Sequence, residues 1–295
     1  MIRYAYFILV LFLLAGCSSD STEAPVALTV EEKATVESYA TQLVNSFNGH
    51  DHALVRSSWS NDAFRKRVKD LNKTQRSVFA HIFEKEVKDA IKYTNLLLIN
   101  NLNKQNGIAS LTQSQHFNGF SEITIFMVFE DSYSFIKYRV ELIEGKPFLC
   151  DLYDFKENTW YSESIKNAIN LNSRYDAFSA ERRNTNLALR SSDEALKRGD
   201  AYGALDFLYE IPQTHWVGNG LSLNRLGLAA ELSDTIYAQV LETEFAYNQS
   251  LYLKYLYYLA FDDSTNLNQV YTDVKNLTGA SDGLDSLIVR GSFWQ

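Results

Sequence analysis

Apolar positions recur every three to four residues through two stretches near the start of the chain, then every second residue, then every three to four again. The first stretch predicts a helix from about Val30 to Asn48, with Val36, Ala40, Leu43, Val44 and Phe47 in one stripe. Thr29 and Glu32 have the S/T-x-x-E spacing in which two side chains satisfy two orphan amides. Asn48-Gly49 stops this helix, an expected left-handed cap. Asp51 is placed to cap a short helix through Arg56, and a basic helical stretch follows from Asp62 to about Leu71. A longer helix is predicted from about Thr74 to Tyr93, with Phe79, Ile82, Phe83, Val87, Ala90 and Ile91 on one face.

The period of two begins with predicted strands at Leu96 to Asn100 and Ile108 to Phe117. Asn106-Gly107 and Asn118-Gly119 mark the turns, since both pairs accept positive φ. Ser121 to Glu130 directs Ile123, Ile125, Met127 and Phe129 one way. In Tyr133 to Ile143, Ile136, Tyr138, Val140 and Leu142 oppose Lys137, Arg139 and Glu141. After Glu144-Gly145-Lys146, a last strand from Pro147 to Phe155 is expected to turn Phe148, Cys150 and Leu152 inward, completing an antiparallel meander with one wet face. From about Ser164 the pattern is helical, so a boundary falls near Asn170 to Asn172. Hairpins are expected around Arg198-Gly199-Asp200, Ser233-Asp234 and Asp262-Asp263-Ser264.

Composition narrows the picture. With 46% apolar residues and 14% aromatics the chain can bury a real core, and 295 residues suggest two domains. A net charge of −8 disfavours nucleic acid as a partner. The first residues change the reading most: one basic residue, Arg3, precedes the apolar run Tyr4 to Ala15, too short to span a bilayer comfortably. Leu14-Ala15-Gly16-Cys17 closes that run and resembles the lipobox of bacterial lipoproteins. The resemblance implies removal of residues 1–16 and acylation of Cys17, with residues 17–28 as a flexible acidic tether. It also implies attachment to a membrane of the cell envelope, by analogy the outer membrane facing the periplasm, with surface display left open. Once Cys17 is acylated only Cys150 remains, so neither an intramolecular disulfide nor a multi-thiolate metal site is expected.

Phe47-Asn48-Gly49-His50-Asp51, Trp59, Phe64 and Gly145-x-Pro147-Phe148, set in helices followed by a curved sheet, resemble the SnoaL-like, or nuclear transport factor 2-like, α+β cone. That resemblance covers residues 29–170 and implies a sheet wrapped round a long helix. In residues 171–295, Gly199-Asp200 with Ala204, and Leu226-Gly227 with Ala230, resemble tetratricopeptide helices. The turns at Gly199, Asp234 and Asp263 are 35 and 29 residues apart, near the class period of about 34. The fold class is therefore α+β followed by all-α hairpins, with an irregular helical bundle as the alternative for the second part.

Candidate chemistry is sparse, and each element of it has a structural reading beside the functional one. His50-Asp51-His52 offers two imidazoles and a carboxylate without a third nearby ligand, so capping competes with metal binding and no metal or cofactor is assigned. Asp51, Trp59 and Tyr138 are candidates for the mouth of a cone pocket, or else a cap, a core indole and a core phenol. Arg65, Lys66, Arg67, Lys69, Lys73 and Arg76 form a basic set that suits an acidic partner or a solvated helix face. Tyr252, Tyr255 and Tyr258 form a candidate interaction surface, or a core stripe. No Walker, HExxH or CxxC spacing occurs, and no enzymatic activity is expected. Two functions remain: a non-enzymatic, lipid-anchored module docking an envelope protein or peptide, and a cone that holds or transforms a small hydrophobic ligand, with the helices as a dimerisation arm.

Overall fold

The computed structural model describes residues 26–129, 133–172, 180–212 and 218–280; the expected lipidation site Cys17 and the leader before it lie outside these. The protein is α+β, with a five-stranded antiparallel sheet in the order β1-β2-β3-β4-β5 and twelve α-helices among the described residues. No helix among them is long and apolar enough to cross a membrane.

Helix α1 (Val30–Asn48) begins at the expected capping box, where the Thr29 N–H donates to Glu32 Oε2 at 2.8 Å and the Glu32 N–H donates to Thr29 Oγ1 at 3.2 Å. It ends differently from expectation: Gly49 has φ −83°, and His50 at φ 54° makes the left-handed turn. Short helices α2 (Ala53–Ser58) and α3 (Asn61–Arg67) follow. Between them Trp59 pairs with Leu149, and the Ser60 N–H donates to the Leu149 carbonyl at 2.8 Å, which fixes both helices to the sheet.

One helical rod comes next: α4 (Lys73–Ile82), a π-helical turn (Phe83–Val87) and α5 (Lys88–Lys104). Phe79, Phe83, Val87 and Ile91 are four apart, a spacing that drifts about 40° per step round a 3.6-residue helix. The wide turn takes up the drift, and all four stay in one buried cluster. The strand expected at Leu96 to Asn100 does not exist, because those residues belong to α5. An apolar run that short has no period of its own; Ile91, Asn95, Ile99 and Leu102, all buried, set it as the inner face of a helix.

Strands β1 (Ile108–His116), β2 (Ser121–Val128), β3 (Tyr133–Ile143), β4 (Lys146–Asp154) and β5 (Thr159–Trp160) form the sheet. Ile123, Ile125, Met127, Ile136, Tyr138 and Val140 pack with α1 in the main core, as their alternation requires. In β4 the expected inward set is wrong by one residue. Arg139 pairs with Asp151 while Val140 pairs with Leu149, so Cys150 is the extra residue of a bulge, and Leu149 rather than Phe148 or Cys150 enters the core with Leu152. The Cys150 thiol donates to the Arg139 carbonyl, and burial pushes its pKa well up, leaving it a neutral packing group.

Helix α6 (Tyr161–Asn172) leads to three antiparallel pairs: α7 (Ala180–Lys197) with α8 (Ala201–Tyr209), α9 (Gly220–Leu232) with α10 (Asp234–Tyr247), and α11 (Leu251–Ala260) with α12 (Ser264–Thr278). Asp200, Ser233, Ser250 and Asp263 cap the helices that follow them. The face of the sheet expected to be wet is largely covered. Phe126, Tyr133, Phe135 and Phe155 pack against Tyr255, Val270, Tyr271 and Val274, so the last helical pair lies on the sheet. At the other end of that face Glu122 pairs with Arg139 and Lys137, and Arg139 stacks on Trp160 at 4.1 Å.

Candidate functional site

A cavity of about 300 Å³ opens between α2–α3 and α5. The first wall is His52, Val55, Arg56, Trp59 and Asn61; the second is Lys88, Ile91, Asn95, Leu96 and Ile99. The π-helical turn immediately precedes the second wall. Wide turns of this kind are frequent at functional sites. Val55, Ile91 and Ile99 are buried and make an apolar floor, whereas Arg56 and Lys88 are exposed at the rim. No carboxylate, thiol or hydroxyl among the described residues lines it.

Two polar atoms of the lining are buried with no hydrogen-bond partner among the described residues: Trp59 Nε1 and His52 Nδ1. An indole N–H can only donate, and leaving one buried and unmatched costs about 1–3 kcal/mol. Asn95 is held from behind. The Tyr138 hydroxyl donates to its Oδ1 at 2.5 Å and its amide donates to the Ile91 carbonyl at 3.0 Å, so the side chain has one orientation. Burial, with Tyr39 beside it, pushes the Tyr138 phenol well above its ordinary range and keeps it a neutral donor.

Of the three residues proposed for a pocket, Trp59 lines the cavity and Tyr138 stands one hydrogen bond behind its wall. Asp51 is not part of it: this exposed carboxylate accepts the Ala53 N–H at 2.8 Å, while the N-cap position of α2 is taken by His52 rather than by Asp51 as expected. Asp51 and Tyr138 are therefore not brought together at this cavity. No group of three metal-ligating residues occurs among the described residues.

The tyrosine stripe is largely absorbed by packing. Tyr255 is 1% exposed against the sheet, and Tyr252 and Tyr258 are partly buried against the same cluster, because positions three apart on α11 share the face that meets β2 and β3. The expected interaction surface is thus mainly an internal seam. The basic set is partly structural too. Arg65 pairs with Glu84, Arg67 pairs with Glu141, and the Arg76 Nε donates to the Leu71 carbonyl, while Lys66, Lys69 and Lys73 stay in solvent.

Sequence reading missed Arg56, Lys88 and Asn95 as parts of a site. The available signal was a lone amide in the stripe Ile91, Asn95, Ile99, hidden when Leu96 to Asn100 is read as a strand. It also missed Asp151, a fully buried carboxylate accepting from the Ser162 hydroxyl at 2.6 Å, the Ser162 N–H at 3.2 Å and the Leu152 N–H at 3.0 Å. No family model, curated protein or solved structure matches this chain.

Proposed function

We propose that the protein is a lipid-anchored component of the bacterial cell envelope that binds a small, largely apolar ligand in the cavity between α2–α3 and α5. The observation carrying the proposal is the unmatched Trp59 indole N–H on an apolar-floored, open cavity. Native interiors pair nearly all their buried polar groups, and binding sites are where an unpaired one has a use. Attachment through an acylated Cys17 rests on the lipobox resemblance and accounts for the polar segment between Cys17 and the first described residue. The packing of the sheet on α1 supports the cone reading, and three successive helical pairs support the tetratricopeptide-like one. Docking of an envelope protein or peptide on the tyrosine stripe has less support, since Tyr255 faces the sheet.

The test uses the acylated chain in phosphatidylcholine nanodiscs and the neutral fluorophore N-phenylnaphthylamine. Saturable uptake, lost when Leu96→Trp fills the cavity and accompanied by an unchanged melting temperature, is the expected result. Uptake identical in wild type and Leu96→Trp would sink the proposal.

A further inference from the structure

The chemistry of the lining also says what kind of molecule the cavity takes; this step rests on the reading of that cavity as a ligand site. We infer that the ligand is an anionic amphiphile, with its apolar part on Val55, Ile91 and Ile99 and its acidic head at the rim between Arg56 and Lys88, within the field of the Trp59 N–H.

Three observations converge on this class. The floor is apolar and buried, with Val55, Ile91 and Ile99 at most 3% exposed, so it rewards a hydrocarbon body. Donors predominate among the polar groups at the mouth, with acceptors left only on His52 and Asn61 among the described lining residues. Trp59 has only an N–H to give, Arg56 and Lys88 have no acceptor at all, and the Oδ1 of Asn95 already takes the Tyr138 hydroxyl. A head group answering such a set must be rich in acceptors, and a charged one makes the shorter, stronger bonds. Finally, the local charge opposes the global one: the chain carries a net −8, yet two cations and no carboxylate among the described residues line this cavity. Among the described residues Lys88 makes a loose exposed contact with Glu84 at 3.8 Å, which leaves its ammonium able to turn to a ligand. An open cavity of about 300 Å³ suits a medium-length acyl chain or a compact ring system better than a two-chain lipid.

The experiment displaces N-phenylnaphthylamine from the nanodisc-held protein with decanoate, decanol or decyltrimethylammonium, subtracting the Leu96→Trp signal for each. Decanoate is expected to displace at about tenfold lower concentration than decanol, with the cation weakest. In the double variant Arg56→Gln, Lys88→Gln the decanoate advantage should fall to within about twofold while decanol is unchanged. Trp59→Phe, which keeps the ring and removes the donor, should weaken decanoate more than decanol. Both positions of the double variant are exposed, and equal melting temperatures will show that the fold is retained. Equal displacement by decanoate and decanol, or preference for the cation, overturns the anionic assignment and leaves the cavity reading intact. Loss of all specific fluorophore uptake overturns both.

Discussion

Glu244→Ala is expected to lower stability by about 3–5 kcal/mol. Arg225 and Glu244 meet at 2.9 Å between α9 and α10, with side chains 5% and 0% exposed. The second Glu244 oxygen accepts from the Ser222 hydroxyl at 2.6 Å. Arg225 also donates to the carbonyls of Leu208 and Ile211, closing the end of α8, and lies 4.6 Å from the Tyr209 ring. The change takes from a buried guanidinium the carboxylate that meets it at 2.9 Å, which is far costlier than losing an exposed ion pair. The expectation is checked by urea denaturation of both proteins at neutral pH. A loss below about 1 kcal/mol would mean that the charge finds water or another partner by relaxation.

Asp151→Asn should remove a pH dependence rather than a contact. Burial pushes the Asp151 carboxyl up to about 6, and the Ser162 and Leu152 hydrogen bonds with Arg139 pull it only part of the way back. Unfolded, the group titrates near 3.8, so between these values the folded chain binds the proton that the unfolded chain has lost. Stability therefore falls as pH rises from about 4 to about 6, by roughly 3 kcal/mol at 1.36 kcal/mol per unit, and is level above that as far as this group is concerned. Asparagine has no proton to lose and keeps an acceptor for Ser162. Melting temperatures at pH 4, 5, 6 and 7 should show wild type losing ground against the variant across that interval. Parallel curves would refute the assignment.

Where local rules act alone, the chain could be read directly. Thr29 and Glu32 cap α1 because the box closes within four residues. β3 could be read because Ile136, Tyr138, Val140 and Leu142 alternate with Lys137, Arg139 and Glu141, and the caps at Asp200, Ser233 and Asp263 start their helices through a side chain that reaches only the next turn. The candidate site was legible only in part. Trp59 stood out as a large aromatic between two short helices, but Asp51 satisfies a backbone amide instead of facing the cavity, and Arg56 and Lys88 look like any exposed cations until α2 and α5 are set side by side.

What the linear order of residues determined by itself was the succession of helix, sheet and helical pairs, since period, caps and turns are set by neighbours a few positions apart. Only the tertiary structure decided that Leu96 continues a helix, that one extra residue at Cys150 swaps which β4 side chains are inside, and that Tyr255 closes the sheet. Each of those outcomes depends on which distant surface comes to lie opposite, and burial against that surface outweighs the weak local preference of a short apolar run. The cavity belongs to the second group: its floor, its rim and its unmatched donor come from elements some thirty residues apart, brought together by packing against the sheet.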